Sequence, residues 1–169
     1  MVTFRPVVSA DLPLLAVWMA RPHWREWWGD PEEELPKIRR KVEGRDTTRP
    51  FIFQLEGRDA GYIQVWYVKD QQEPEAVAAY PWLVLLPMDA VGVDLSIAEA
   101  SDLSRGYGTR VLQEFVAKLR REGHKRIVID PDPANLRAVK AYRKAGFREM
   151  DDLLGRTGDH LLMEHRDGT

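Results

Sequence analysis

The first third of the chain shows one alternating apolar run followed by two helical patterns. Residues 2–8 alternate aromatic and branched side chains with polar ones and predict a strand. The next segment predicts a helix that Ser9 or Asp11 caps, with Pro13 in its first turn. Asp30-Pro31 and three following glutamates predict a second helix, because carboxylates favour the positive end of the helix dipole. That helix is expected to end near Val42.

The middle of the chain predicts three strands. Two of them, over residues 51–55 and 61–68, are joined by a tight turn at Gly57-Arg58-Asp59. A polar loop is expected over residues 69–75. Alternation returns over residues 91–98 and predicts the third strand.

The last third alternates helices with strands. An amphipathic helix is predicted from Thr109 to Arg121, and Gly123 ends it. A buried strand, a second helix and two final strands are predicted over residues 126–129, 135–145, 147–151 and 160–165. The order β-α-α-β-β-β-α-β-α-β-β predicts an α/β fold with a mixed sheet, in one domain that spans residues 1–169.

Composition excludes several classes of site. The 169 residues are 44% hydrophobic and 31% charged, as in an ordinary globular protein. The absence of cysteine excludes disulfides, thiolate metal sites and a cysteine nucleophile. His23 has no second histidine at metal-ligand spacing, so we expect a packing or capping role for it and no metal site.

Charge and hydropathy limit the partners. Lys+Arg is 25 and Asp+Glu is 27, so there is no basic excess and we expect no nucleic-acid binding. The longest apolar stretch, residues 80–88, is far short of the roughly 20 residues that a membrane helix needs. The first residues lack the pattern of a signal peptide, so we expect a cytoplasmic protein, either a monomer or a homodimer.

One loop carries a candidate anion site. Ser104-Arg-Gly-Tyr-Gly-Thr109 follows a predicted strand and opens a predicted helix. Its two glycines allow close approach of backbone N–H groups, and a helix N-terminus favours negative charge, so the loop suits a pyrophosphate. Considered alone, the same residues equally fit a plain strand-to-helix turn with a solvated arginine.

The surrounding sequence resembles the GCN5-related N-acetyltransferase (GNAT) family over nearly the whole chain. The resemblance rests on the glycine loop, on Asp130-Pro-Asp-Pro-Ala-Asn135 and on Ala141-Tyr-Arg-Lys-Ala-Gly-Phe147. It implies a GNAT-type sheet with helices on both faces and strands that splay apart at Asp94 and Ile129 to admit acetyl-CoA. Family members usually carry Gln or Arg where this chain has Leu103. The cofactor residues that the resemblance implies are Leu95, Ser96, Ile97, Ser104, Arg105, Gly106, Tyr107, Gly108, Thr109, Asn135 and Lys144.

A narrower resemblance concerns the acceptor. The segments His23-Trp-Arg-Glu-Trp-Trp-Gly29, Gly92-Val-Asp94 and 130–138 together look like aminoglycoside 6′-N-acetyltransferases. The implied reaction is acetyl transfer to a primary amine of a small molecule. Trp27 and Trp28 would then form a wall of the acceptor pocket, one of them partly in the core.

Three polar residues are the candidates for catalysis and acceptor binding. Asp94 interrupts an apolar strand, where a carboxylate is costly unless a cation pairs with it, so we expect it to bind the acceptor amine and act as base. Tyr142 is the candidate acid for the departing thiolate, and Asp130 the candidate second acceptor ligand. The structural alternatives are that Asp94 points to water from an edge strand, that Tyr142 is a core residue and that Asp130 is a turn or capping residue. For Asp132 we prefer the turn role.

Other functions stay open. Siderophore-type lysine or hydroxylysine acyltransferases resemble the same tryptophan-rich region, but they usually have a histidine where this chain has Asp94. A non-catalytic acyl-CoA sensor on the same fold would need neither Asp94 nor Tyr142. The apolar segment 80–88 lacks the acidic residues that some aminoglycoside enzymes carry there, so it could be a lid, a dimer contact or a pocket for another acceptor, with Asp70, Glu73 and Glu75 partly compensating.

Overall fold

One mixed β-sheet organises the protein. The computed structural model describes residues 1–167. The strands are β1 (Val2–Pro6), β2 (Arg49–Leu55), β3 (Arg58–Tyr67), β4 (Val91–Ile97), β5 (Ile127–Ile129), β6 (Phe147–Glu149) and β7 (Met163–His165). Their order in the sheet is β1-β2-β3-β4-β5-β7-β6. Only the pairing of β4 with β5 is parallel within the described chain.

Six α-helices lie within residues 1–167. They are α1 (Leu12–Met19), α2 (Pro22–Trp28), α3 (Pro31–Val42), α4 (Pro74–Ala79), α5 (Tyr107–Arg121) and α6 (Leu136–Ala145). Alternate residues of β2 separate the two faces: Phe51 and Phe53 pack under α5, whereas Ile52 packs under α1 and α3. This arrangement confirms the predicted fold class. No helix within residues 1–167 has the length and apolar character to cross a membrane.

Two helices were missed by the sequence pattern. The seven residues of α2 are rich in tryptophan, which lowers helix propensity, but its anchor Trp24 is completely buried. The predicted polar loop over residues 69–75 contains a 3₁₀ turn at Val68–Asp70, and α4 begins at Pro74. Both helices start with a proline, which suits a helix N-terminus but also fits a loop. Packing of the buried Trp24 side chain therefore stabilises α2, whereas α4 has no buried residue.

Several predicted boundaries were also wrong. Asp11 does not cap α1: its carboxylate pairs with Arg5 at 2.9 Å and accepts the Val8 N–H, because the chain first makes a 3₁₀ turn at Ser9–Asp11. The turn between β2 and β3 is Glu56-Gly57, both with positive φ, and Arg58 already lies in β3.

Candidate active site

The parallel strands β4 and β5 separate in the middle of the sheet. They pair only through Val91 with Ile127 and Gly92 with Val128. Beyond this point β4 continues to Ile97 along β3, and β5 ends before Asp130. The predicted splay is thus present, and Asp94 and Asp130 lie on its two sides. Two cavities open there, and Asn135, Ala138 and Tyr142, at the start of α6 and within it, line both of them.

The first cavity, of about 500 Å³, is here called the acidic cavity. Five carboxylates line it: Glu34, Asp46, Asp94, Asp130 and Asp132. Its cationic side chains are Lys37 and Lys41, with His160 as a third basic group. Carboxylates in excess over cations create a negative potential that favours ammonium ligands.

Asp94 sits in this cavity in a polar network. Its Oδ2 accepts a hydrogen bond from Gln64 Nε2 at 2.8 Å, because the β3–β4 register places Gln64 opposite Asp94. Burial and the charge of Asp130 raise the pKa of Asp94 to about 7, although the Gln64 hydrogen bond and Lys41 favour its ionised form. A carboxyl with this pKa can accept a proton near neutral pH.

Asp130 faces a histidine that sequence reasoning missed. His160 Nδ1 lies 3.2 Å from Asp130 Oδ2. The pKa of Asp130 is raised by burial, and that of His160 is raised by its hydrogen bond to Asp130. Asp132, by contrast, is exposed, and its Oδ1 accepts the Ala134 N–H at 2.8 Å, which agrees with the turn role expected for it.

An aromatic wall closes the acidic cavity. Trp82 packs against Tyr80 at 5.7 Å and against His160 at 5.3 Å between ring centroids. The apolar segment is therefore packed: a 3₁₀ turn at Pro81–Leu85 buries Trp82 and Leu83, which line the cavity. The segment thus forms part of the wall of the acidic cavity through Tyr80, Trp82 and Leu83. Trp66 completes the wall because Gly92 leaves room for its ring, which lies where a Cβ would be.

The acidic side chains that compensate for this apolar wall are not the predicted ones. Asp70, Glu73 and Glu75 lie outside the residues that line the cavity, and Asp70 accepts a hydrogen bond from Thr47 Oγ1 at 2.9 Å. Glu34 and Asp46, from α3 and the loop after it, take their place. Their positions depend on how α3 packs on the sheet, so no local sequence pattern signalled them.

The second cavity, of about 410 Å³, is here called the glycine-loop groove. Ser104 and Gly106 both have positive φ, and α5 begins immediately after them. A Cβ on Gly108 would meet only Ile97 Cδ1, at 3.8 Å, so the fold itself leaves open space there. An open glycine beside a helix N-terminus fits the approach of a phosphate-bearing ligand such as acetyl-CoA.

Most of the predicted cofactor residues line this groove. They are Leu95, Ser96, Ile97, Ser104, Gly106, Gly108, Thr109, Asn135 and Lys144. The side chains of Arg105 and Tyr107 do not, because the Arg105 guanidinium stacks on the Tyr107 ring at 5.5 Å. Only their backbone N–H groups remain candidates for that role.

The other rim of the groove is basic and was largely missed. Arg137 and Lys140 line it together with the predicted Lys144, and no carboxylate from residues 1–167 is part of its lining. Asn135 begins α6 as an N-cap, with its Oδ1 accepting the Ala138 N–H at 3.2 Å. His23 Nε2 lies 2.8 Å from the carbonyl oxygen of Ile97 at the end of β4, and His23 also lines the groove.

The two cavities share part of their lining. Six residues line both of them: Trp27, Trp28, Leu95, Asn135, Ala138 and Tyr142. Burial together with Asp94 and Asp130 raises the pKa of Tyr142, so its phenol stays protonated at neutral pH. Trp27 is 39% exposed, whereas Trp28 packs edge-on against buried Tyr62 at 5.6 Å, which matches the expectation of one exposed and one partly buried tryptophan.

Comparison with known proteins agrees with this geometry. The acetyltransferase (GNAT) domain family matches residues 7–153. The chain is 30% identical to an aminoglycoside N(6′)-acetyltransferase type 1 of Klebsiella pneumoniae over 170 residues, which cover 96% of this chain and 81% of that protein. It is 28% identical to the lysine N-acyltransferase MbtK of a Mycobacterium species, over 94% of this chain and 61% of that protein.

A solved structure supports the same relationship. AAC(6′)-Ib in complex with paromomycin and acetyl-CoA superposes with a TM-score of 0.81 at 29% identity, over 97% of this chain and 92% of that one. Fold and site together define an acetyl-CoA-dependent N-acetyltransferase. The chain belongs to the GNAT family and resembles the aminoglycoside 6′-N-acetyltransferases.

Proposed function

We propose that this chain transfers the acetyl group of acetyl-CoA to the 6′-amine of aminoglycosides. The observation that carries the proposal is the pair of joined cavities: an acidic cavity, suited to ammonium groups, opens onto a glycine-loop groove with a basic rim. The similarity to aminoglycoside N(6′)-acetyltransferases over 96% of the chain supports the choice of acceptor.

The groove would hold acetyl-CoA through backbone and basic groups. The N–H groups of residues 105–109 face the pyrophosphate, with Arg137, Lys140 and Lys144 available to its phosphates. The pantetheine arm lies along Leu95, Ser96 and Ile97, at the edge of β4 from which β5 has separated. This position brings the thioester to Tyr142, between the two cavities.

The acidic cavity would hold the acceptor and move its protons. Asp94 and Asp130 bind the ammonium, and Asp94 takes a proton from it, directly or through water. The free amine attacks the thioester carbonyl, the new C–N bond forms and the C–S bond breaks. Tyr142 gives its proton to the leaving thiolate and recovers one from the nitrogen through solvent. Positioning supplies much of the rate, because both substrates are held at one junction.

A lysine-type acyltransferase is the second candidate. It is favoured by the similarity to the lysine N-acyltransferase and by the shared tryptophan-rich segment that forms α2. Asp94 favours the first candidate, because the lysine-type enzymes usually have a histidine there. A sensor role is disfavoured, since it would need neither Asp94, which lines the acidic cavity, nor Tyr142, which lines both cavities.

The test is CoA release from acetyl-CoA with a small acceptor panel. Kanamycin and neomycin offer a 6′-amine, paromomycin has a hydroxyl in its place, and lysine and hydroxylysine represent the alternative. We expect turnover with the 6′-amines and little with paromomycin. Turnover only with the lysine compounds would favour the second candidate. No turnover across the panel, with acetyl-CoA still bound, would contradict both.

A further inference from the structure

A lysine lies inside the acidic cavity, where a polycationic ligand would be expected to find only carboxylates. Lys41 is in the last turn of α3 and lines the cavity. Its Nζ donates to Gln64 Oε1 at 2.9 Å, and Gln64 Nε2 donates to Asp94 at 2.8 Å. The ammonium is thus connected to the candidate base through a single amide side chain.

Lys37, one helical turn earlier, provides an internal comparison. It lines the same cavity, but its Nζ pairs with Glu34 Oε1 at 2.6 Å and its side chain is 58% exposed. Lys41 is more buried, and no carboxylate within residues 1–167 approaches it to salt-bridge distance. Asp94, Asp46 and Glu34 nevertheless act on its charge from farther away, and burial lowers its pKa.

The Lys41 ammonium therefore lies where the surrounding carboxylates would otherwise attract an ammonium group of the ligand. The carboxylates that surround it are those that would attract a second amine of the acceptor. Two ammonium groups in one partly buried cavity repel each other, and this repulsion is stronger than in water because the local dielectric is lower. An ammonium also has three N–H donors, of which Gln64 takes one, so the others can donate to a hydroxyl or ether oxygen.

We propose that Lys41 is a specificity-determining residue that selects acceptors with a hydroxyl, rather than a second ammonium, in the part of the acidic cavity that it lines. The proposal rests on the proposed function and narrows its substrate class. Acceptors that present one ammonium to Asp94 and Asp130 and oxygen atoms to Lys41 are favoured over more highly aminated ones. Discrimination by a built-in repulsive group is a common route to specificity.

Kanamycin A and kanamycin B provide a matched pair of probes, because they share the 6′-amine and differ at C2′, which carries a hydroxyl in A and an amine in B. The measurement is the ratio of kcat/KM for A to that for B. In Lys41→Gln this ratio should fall by about tenfold through a gain with B, the size expected for the loss of one charge–charge contact. Lys41→Arg, which keeps the charge, should retain the ratio of the unmodified protein.

Lys37→Gln is the control for the general charge of the cavity. It removes the same charge from the same cavity and should change the ratio by less than about threefold, as expected for an exposed pair. The KM for acetyl-CoA should stay constant in all variants. An unchanged ratio in Lys41→Gln, or an equal change in Lys37→Gln, would overturn the proposal. Lys41→Met replaces Lys41→Gln if the latter does not fold.

The proposed function and this inference fail in different ways. If kanamycin A is acetylated but the A-to-B ratio is the same in every variant, the function stands and the role of Lys41 is wrong. If no variant turns over either drug, the proposed function is wrong. In that case the dissociation constants of kanamycin A and kanamycin B are measured by calorimetry, and their ratio in each variant decides the role of Lys41. If neither drug binds, the proposed role of Lys41 is also wrong.

Discussion

The acidic cavity and the glycine-loop groove meet at Tyr142 but are built on different principles. The groove depends on backbone geometry, with positive φ at Ser104 and Gly106 and open space beside Gly108. The acidic cavity is built from side chains of many separate segments, from α2 to the residues before β7. A ligand shared by a whole family suits a backbone site, whereas a varying acceptor suits a surface that substitutions can change.

The two regions also differ in charge. Arg137, Lys140 and Lys144 give the groove a basic rim, while carboxylates outnumber cations in the cavity. Opposite potentials a few side chains apart direct an anionic cosubstrate and a cationic acceptor to opposite sides of one junction. The comparison therefore predicts that substitutions on one side leave binding on the other side intact.

The largest effect is expected for Asp94→Asn in the acidic cavity. The amide keeps the shape but cannot accept the proton, so kcat/KM for the acceptor should fall by about 10²–10⁴-fold while the KM for acetyl-CoA stays nearly constant. Steady-state CoA release measures both. The matched control is Asp132→Asn, which alters an exposed carboxylate of the same cavity and should cost less than about threefold. Near-normal activity of Asp94→Asn would remove the base assignment.

Tyr142→Phe tests the junction itself. Loss of the phenol should lower kcat by roughly 10–100-fold, because the thiolate then leaves without its proton donor, with both KM values little changed. The ring keeps its packing near Phe147, at 6.5 Å between centroids, so thermal unfolding should change little. A strongly destabilised variant would instead indicate a structural tyrosine.

Gly108→Val tests the groove. Its Cβ meets only Ile97 within the fold, so the added side chain should occupy ligand space and weaken acetyl-CoA binding by about tenfold or more. Calorimetry gives the dissociation constant. Arg105→Ala, in the same loop but with its side chain on Tyr107, is the control and should have an effect below about threefold. Equal losses in both variants would argue against a ligand beside Gly108.

The smallest effect is a change in the pH dependence of stability. Burial raises the pKa of Asp94 to about 7, above that of the same group in the unfolded chain, so the folded state holds the extra proton between about pH 4 and 7. Stability from this group is present at low pH and lost as the pH rises through 7. The thermal midpoint of Asp94→Asn, relative to that of the unmodified protein, should therefore be higher at pH 8 than at pH 5. A constant difference would contradict the raised pKa.

The groove could largely be predicted from the sequence, and the cavity only in part, since the predicted Trp27, Trp28, Asp94 and Asp130 line it but most of its other residues were missed. Ser104 to Thr109, Asn135 and Tyr142 belong to local motifs whose spacing is fixed by one loop and one helix. Lys41, Gln64 and His160 come from α3, β3 and the segment before β7, and only the strand register and the packing of α3 bring them to Asp94 and Asp130. Gln64 had one available signal, since it is a polar residue within an otherwise apolar strand.

The same contrast explains the errors in the elements. Helices with a clear apolar face, such as α5, were predicted within two residues of their observed bounds. The short helix α2 depends on tertiary contacts, as the complete burial of Trp24 illustrates. The six residues of α4 include no buried one, and the segment is too short to show a helical period. In both cases local periodicity was informative only where a segment supplies most of its own stabilising contacts.

The most direct test of the division between the two regions is a pair of binding measurements on two variants. Calorimetry of acetyl-CoA and of kanamycin A with Asp130→Asn and with Gly108→Val gives four dissociation constants. The account predicts that Asp130→Asn weakens kanamycin binding about tenfold or more and leaves acetyl-CoA binding unchanged. Gly108→Val should weaken acetyl-CoA binding about tenfold or more and leave kanamycin binding unchanged. Loss of both ligands in either variant would contradict the assignment of one ligand to each cavity.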